Sequence, residues 1–268
     1  MNVSRVVTSL FVLVTAACLP AHASAAGARR GGGIREVVPG KFAARYAGWK
    51  KEFLSTETGR GQWQAFERDP QFALTVVVSS NENPQGGGTG GYRWDSSGKL
   101  VAATITLGSR LDEGYPDPIY FPVMNSLMPY ASTREAGDHL LAAAKIAHEF
   151  GHLIRTTRTD SALYQLQSQL IPVYNRILLS NGRDTGDEKL LELARKMGGT
   201  PVEIWEDREY WGEANAMLFL RDRIADEQIL CGVFGRIKQT VGLYAKSYEG
   251  RFFEVARTAP LPGRCGWQ

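Results

Sequence analysis

His148-Glu149-Phe150-Gly151-His152 constrains this chain more than any other five residues in it. On a helix, residues four apart stand one turn apart on the same face. Two imidazoles placed in that way can close on one metal ion. The glutamate beside the first histidine reaches towards the place where a metal-bound water would sit. Histidine is scarce, with 4 in 268 residues, so two at this spacing around a glutamate argue against coincidence. Ile146, Phe150, Gly151, Leu153 and Ile154 carry no charge. The pattern therefore predicts a helix buried on most sides, not a surface helix with two solvated histidines.

The chain opens with a pattern of export. Arg5 precedes an apolar run from Val6 to Leu19, which is too short for a membrane span. Ala21-His22-Ala23 then offers a cleavage site. Residues 1–23 read as a signal peptide with Ser24 as the new N-terminus, and cleavage after Ala25 reads equally well. A competing reading makes Cys18 the lipid-carrying residue of a lipoprotein, although Thr15 stands where leucine is usual. The expected location is periplasmic or extracellular.

Removing residues 1–23 from 268 leaves 245, enough for one domain with a full core. It also removes Arg5, so 30 Lys+Arg face 28 Asp+Glu. Without a basic block, this near-balance predicts neither nucleic acid nor a membrane surface as partner. Of the three cysteines, Cys18 lies in the signal, which leaves Cys231 and Cys265. In an exported chain such a pair predicts a disulfide, contributing about 3–4 kcal/mol by loop entropy.

Residues 24–38, centred on Gly31-Gly32-Gly33, read as a flexible leader ahead of a domain over 39–268. Phe42, Tyr46, Trp49 and Phe53 recur at helical spacing and predict an amphipathic helix from Lys41 to Leu54. Phe72 to Ser79 is a strand pattern. Asn81 to Gly91 reads as a glycine-rich loop. Gly86, Gly88 and Gly91 match G-x-G-x-x-G, but no helix follows, so a phosphate site is rejected. Asp95-Ser96-Ser97-Gly98 is a hairpin turn between Tyr92–Trp94 and Lys99–Leu107. Capping boxes at Ser132–Glu135 and Thr200–Glu203 open helices. The first carries the histidine pair and the second runs to about Ile224. Further helices are expected over 160–179, 187–197 and onward to about Arg257. The fold class is α+β, mostly helical with a small N-terminal sheet.

A catalytic zinc takes three protein ligands and keeps one position for water. Arg158 stands ten residues after His148, so a third histidine at that spacing is excluded, and His139, nine residues before it, reads as structural. Carboxylates remain. Glu209 and Glu213 are i and i+4 in Asp207-Arg208-Glu209-Tyr210-Trp211-Gly212-Glu213-Ala214-Asn215 and share a helix face. One can bind the metal while the other accepts the N–H of a ligating imidazole. Asp160 is a more remote choice. Lys145, four residues before Glu149, is read as pointing to the cleft rim or solvent, with a direct ion pair to Glu149 as the alternative.

HEFGH followed by E-Y-W-G-E-A resembles the gluzincin-type zinc metallopeptidases, and more narrowly the anthrax lethal factor-like catalytic domain. The resemblance covers the two motif helices, not the whole chain. It implies a zincin-like fold of two lobes around a zinc cleft, with His148, His152 and Glu209 as ligands. Glu149 is then the general base and Glu213 the carboxylate behind the ligands, with the two later glutamates exchanging roles in the alternative assignment. The implied activity is hydrolysis of a peptide or protein substrate, with Lys99–Leu107 as a candidate edge strand for the peptide. The family places an oxyanion-stabilising tyrosine several residues before the third ligand. Val202 and Trp205 stand there instead, and Tyr164, Tyr174 or Tyr210 would have to replace it. That departure keeps a second expectation open, an exported binding or structural protein on a zincin-like fold.

Overall fold

The computed structural model describes residues 32–80, 84–113, 139–156, 212 and 215–233, without the side chains of 154–156. Aromatic spacing sets the first helix. Tyr46, Trp49 and Phe53 recur every three or four residues and are the buried face of α1 (Ala43–Phe53), which a 3-10 turn at Gly40–Phe42 leads into. This is the helix expected over 41–54. A second helix, α2 (Glu57–Glu67), begins almost at once. The Thr56 hydroxyl caps it by accepting from the Gly59 N–H at 2.9 Å. Gly59 must lack a side chain, because a Cβ there would run into the Phe53 carbonyl.

Four strands form one mixed sheet in the order β1-β2-β4-β3: β1 (Gly33–Val37), β2 (Ala73–Ser79), β3 (Gly87–Trp94) and β4 (Leu100–Gly108). β1, β2 and β4 run parallel, and β3 returns antiparallel to β4. Strict alternation in β2 sends Leu74, Val76 and Val78 into the core. The hairpin at 95–98 forms as the turn residues require. Gly98 takes φ 80°, and Asp95 Oδ1 accepts the N–H groups of Ser97 and Lys99 at 2.9 and 3.0 Å. The Ser97 hydroxyl, also bonded to Asp95, is the main reason this carboxyl lies below its ordinary range.

Three expectations need correction. Residues 33–37 are not loose leader but strand β1, because their backbone pairs with residues 73–77 of β2; residues 24–31 lie outside the described residues. Gly87 to Gly91 is strand, not loop, because the ladder to Leu107–Thr104 supplies the order that glycine side chains do not. Lys99–Leu107 is not an edge. β4 is paired on both sides, by β2 and β3, and the edge strands among the described residues are β1 and β3.

Helix α3 (Leu140–Thr156) carries the HEFGH run and packs on α1, β3 and β4. Every residue from 140 to 153 is buried. Phe150 sits in an aromatic cluster, with ring centroids 5.1 Å from Phe53, 5.8 Å from Phe66 and 6.1 Å from Trp63. Residues 215–223 form a later helix bound to the N-terminal pair. Phe219 lies 6.0 Å from Phe53, Asp222 accepts from the Thr58 N–H at 3.0 Å, and Arg223 meets Glu52 at 2.5 Å. Residues 227–233 are also helical. The molecule is thus a mixed helix–sheet protein, compatible with α+β. The helix with the histidine pair begins at Leu140, after a turn at His139, and not at the Ser132–Glu135 box as expected. The residues of both capping boxes, the helices expected over 160–179 and 187–197, and the tail beyond 233 lie outside the described residues. Among the described residues, no helix is long and apolar enough to cross a membrane.

Candidate metal centre

Helix phase separates packing from chemistry in α3. At ~100° per residue, Phe150 stands about 200° around the axis from His148, whereas His152 is about 40° away and Glu149 about 100°. Burying Phe150 among aromatics therefore turns both histidines to the other side and leaves Glu149 between the two faces. The two imidazole rings lie 4.9 Å apart at 84°. One donor atom from each of His148, Glu149 and His152 falls within 4.8 Å of the others, and each residue is only 5% exposed. Among the described residues, no other cluster of three or more such groups is arranged to hold a metal ion. Two neutral imidazoles converging beside a carboxylate, out of water, suit a borderline-soft divalent ion such as zinc.

Strand β3 meets this face. The Thr89 hydroxyl donates to Glu149 Oε2 at 2.6 Å and lies 3.1 Å from the Glu149 backbone carbonyl oxygen. A Cβ on Gly87 would come within 2.8 Å of Glu149 Oε1, so the carboxyl group rests directly on the strand backbone. Sequence reasoning missed both residues. Glycines read as loop there, and nothing local to Thr89 announces a partner sixty positions later.

The later helix meets the other side. A Cβ at Gly212 would lie 2.6 Å from Cε1 and Nε2 of His148, so only glycine admits this approach. Asn215 fixes the contact. Its Nδ2 donates to the Ala147 carbonyl at 2.5 Å and to Gln62 Oε1 at 3.1 Å, while its Oδ1 accepts from Gln62 at 2.7 Å. Gly212 and Asn215 are therefore both held against α3. Glu209, Glu213, Asp160, Arg158, Tyr164, Tyr174 and Tyr210 themselves lie outside the described residues, as does Cys265. His139 is directed elsewhere, as a structural residue would be: its ring meets α1, where a Cβ on Gly48 would collide with it.

Lys145 overturns its expectation. It does not reach the rim or solvent. It is 2% exposed, and its Nζ donates to the carbonyls of Gln85, Leu111 and Glu113 at 2.5, 2.8 and 2.7 Å. These three acceptors match the three N–H bonds of an ammonium group. They tie α3 to the segments on either side of the β3–β4 hairpin. Burial lowers its pKa from 10.5 to about 7, with Asp112 and Glu113 pulling the other way. Between those values the unfolded chain holds a proton that the folded chain does not, so stability rises with pH across that window. The unfolding free energy of the metal-free chain, minus that of Lys145→Met, should therefore increase from about pH 7 to about pH 10 in urea titrations. A flat difference would mean that Lys145 keeps its charge throughout.

The chain matches no protein-family model, no curated protein and no solved structure.

Proposed function

We propose that this chain is an exported zinc-dependent metallopeptidase with a zincin-like, two-lobed fold, in which His148 and His152 hold the metal and Glu149 is the general base. One observation carries the reading: two buried imidazoles one turn apart converge with a carboxylate, against strand β3 on one side and Gly212 on the other. A zinc ion held there lowers the pKa of its bound water towards ~7 and polarises a substrate carbonyl. The chain's own contribution is proton handling and orientation. Glu149 takes the proton of the attacking water and returns it to the leaving amine. β3, an edge strand among the described residues, offers main-chain groups beside the cluster along which an extended peptide can align.

On the resemblance, Glu209 is the third ligand; the close approach of Gly212 to His148 supports a ligand from the sequence around it, and in a continuous helix Glu209 and Glu213 would share one face. Glu213 is then suited to accept the N–H of a ligating imidazole. The export reading includes residues 1–23 as signal peptide and a Cys231–Cys265 disulfide, which thiol titration of the unfolded, unreduced chain tests.

The decisive experiment measures zinc per chain by elemental mass spectrometry, with hydrolysis of a broad peptide library followed in parallel. About one zinc in the protein starting at Ser24, none in His148→Ala, loss in Glu209→Gln and retention in Glu213→Gln are expected. Chelator should stop hydrolysis. Absence of zinc from the unmutated chain would overturn the proposal. One tightly held zinc with no cleavage of any peptide would favour the non-catalytic exported binding protein.

A further inference from the structure

Glu149 has a dedicated neighbour that the motif does not announce. We infer that Thr89 is a positioning residue for Glu149: its hydroxyl fixes Oε2 while Gly87 lets the carboxyl group rest against the β3 backbone. The inference rests on the peptidase reading for its catalytic meaning, but not for its geometry.

Three observations support it. The Thr89 hydroxyl lies 2.6 Å from Oε2, the short distance of a hydrogen bond to a charged acceptor. The Thr89 hydroxyl oxygen is also 3.1 Å from the backbone carbonyl of Glu149, a second acceptor for its single proton on the same residue. Gly87 and Thr89 are two apart on β3 and face α3 together. The glycine contributes no side chain, and any Cβ would crowd Oε1 at 2.8 Å. Thus one oxygen is held by a donor and the other lies close against a residue without a side chain. Both residues belong to a strand at one edge of the sheet among the described residues. A peptide aligned on that strand is then registered against the same backbone that orients the base. An orientation fixed before the reaction spares the transition state the cost of arranging it.

Two experiments test this. The first is a double-mutant cycle, Thr89→Val with Glu149→Ala, read by urea unfolding of metal-free protein. A hydrogen bond to a charged group predicts a coupling of about tenfold or more in the unfolding equilibrium constant. Strict additivity would overturn the pairing whether or not the protein is an enzyme. The second uses zinc-loaded protein and a peptide it cleaves. Thr89→Val should lower kcat about tenfold or more while KM and zinc content stay unchanged, and Thr89→Ser should recover most of the rate. An equal loss in the serine variant, or a change confined to KM, would overturn the positioning role. If the unmutated chain binds zinc yet cleaves nothing, the peptidase reading and the catalytic meaning of Thr89 fail together, and the cycle still decides the contact.

Discussion

Replacing Phe150 by alanine should lower the unfolding free energy by about 3–5 kcal/mol, the range for emptying a buried aromatic site. Phe150 is fully buried, and its ring meets Phe53 of α1 together with Trp63 and Phe66 of α2. The hole cannot close easily, because its walls belong to separately anchored elements. α1 is pinned through Glu52 to Arg223, α2 through its Thr56 cap and the Gln62–Asn215 pair, and α3 through Lys145. Urea unfolding of the metal-free chain measures the effect, and a drop of roughly 10 °C in Tm should accompany it. Val37→Ala, at an exposed position, serves as the control and should stay within about 0.5 kcal/mol. A loss below about 1 kcal/mol for Phe150→Ala would mean that the aromatic cluster is not close-packed. The variant should also bind zinc more weakly, since the packing of Phe150 sets the rotation of α3 and thereby aims the histidines.

What could be read from the sequence was local. HEFGH defines its own geometry, because the i and i+4 relation lies within one helix. The spacing of Tyr46, Trp49 and Phe53, the alternation in Leu74–Val78 and the Asp95–Gly98 turn are likewise relations between near neighbours. What could not be read was set by distant partners. Lys145 looked like a surface cation until carbonyls from residues 85, 111 and 113 converged on it. β1 and the first half of β3 look like linker because glycine has poor strand propensity, and both are strands because a neighbouring strand satisfies their backbone. Gly59 and Gly61 masked α2 in the same way, although Thr56 and Gly59 form its cap. In the candidate site, the His148–Glu149–His152 cluster was legible and its supports were not. Gly212 and Asn215 stand inside a quoted motif, yet their roles depend on His148, Ala147 and Gln62, at least sixty positions away. Thr89 had no signal at all.

Glu149→Gln is the substitution with the largest expected effect on activity, a fall of about 10²- to 10⁴-fold in kcat, the span that general acid–base catalysis contributes. The amide fills the same space and its oxygen can still accept from Thr89, so the side chain should keep its place on β3. What it loses is the ability to take a proton from water and return it to the leaving amine. Removing a charge from a residue only 5% exposed should leave the fold as stable as before or slightly more so. Zinc content decides between two meanings of the same lost activity. A ligand atom of Glu149 lies within 4.8 Å of those of both histidines, a placement that suits either a base beside a bound metal or a ligand to it. Zinc retained with hydrolysis abolished makes it the base and leaves the third coordination position to the Glu209 segment. Zinc lost together with hydrolysis makes Glu149 itself a ligand, and the peptidase mechanism would then lack its proton carrier. An unchanged rate would remove Glu149 from the chemistry altogether, and with it the reason for Thr89 to hold it.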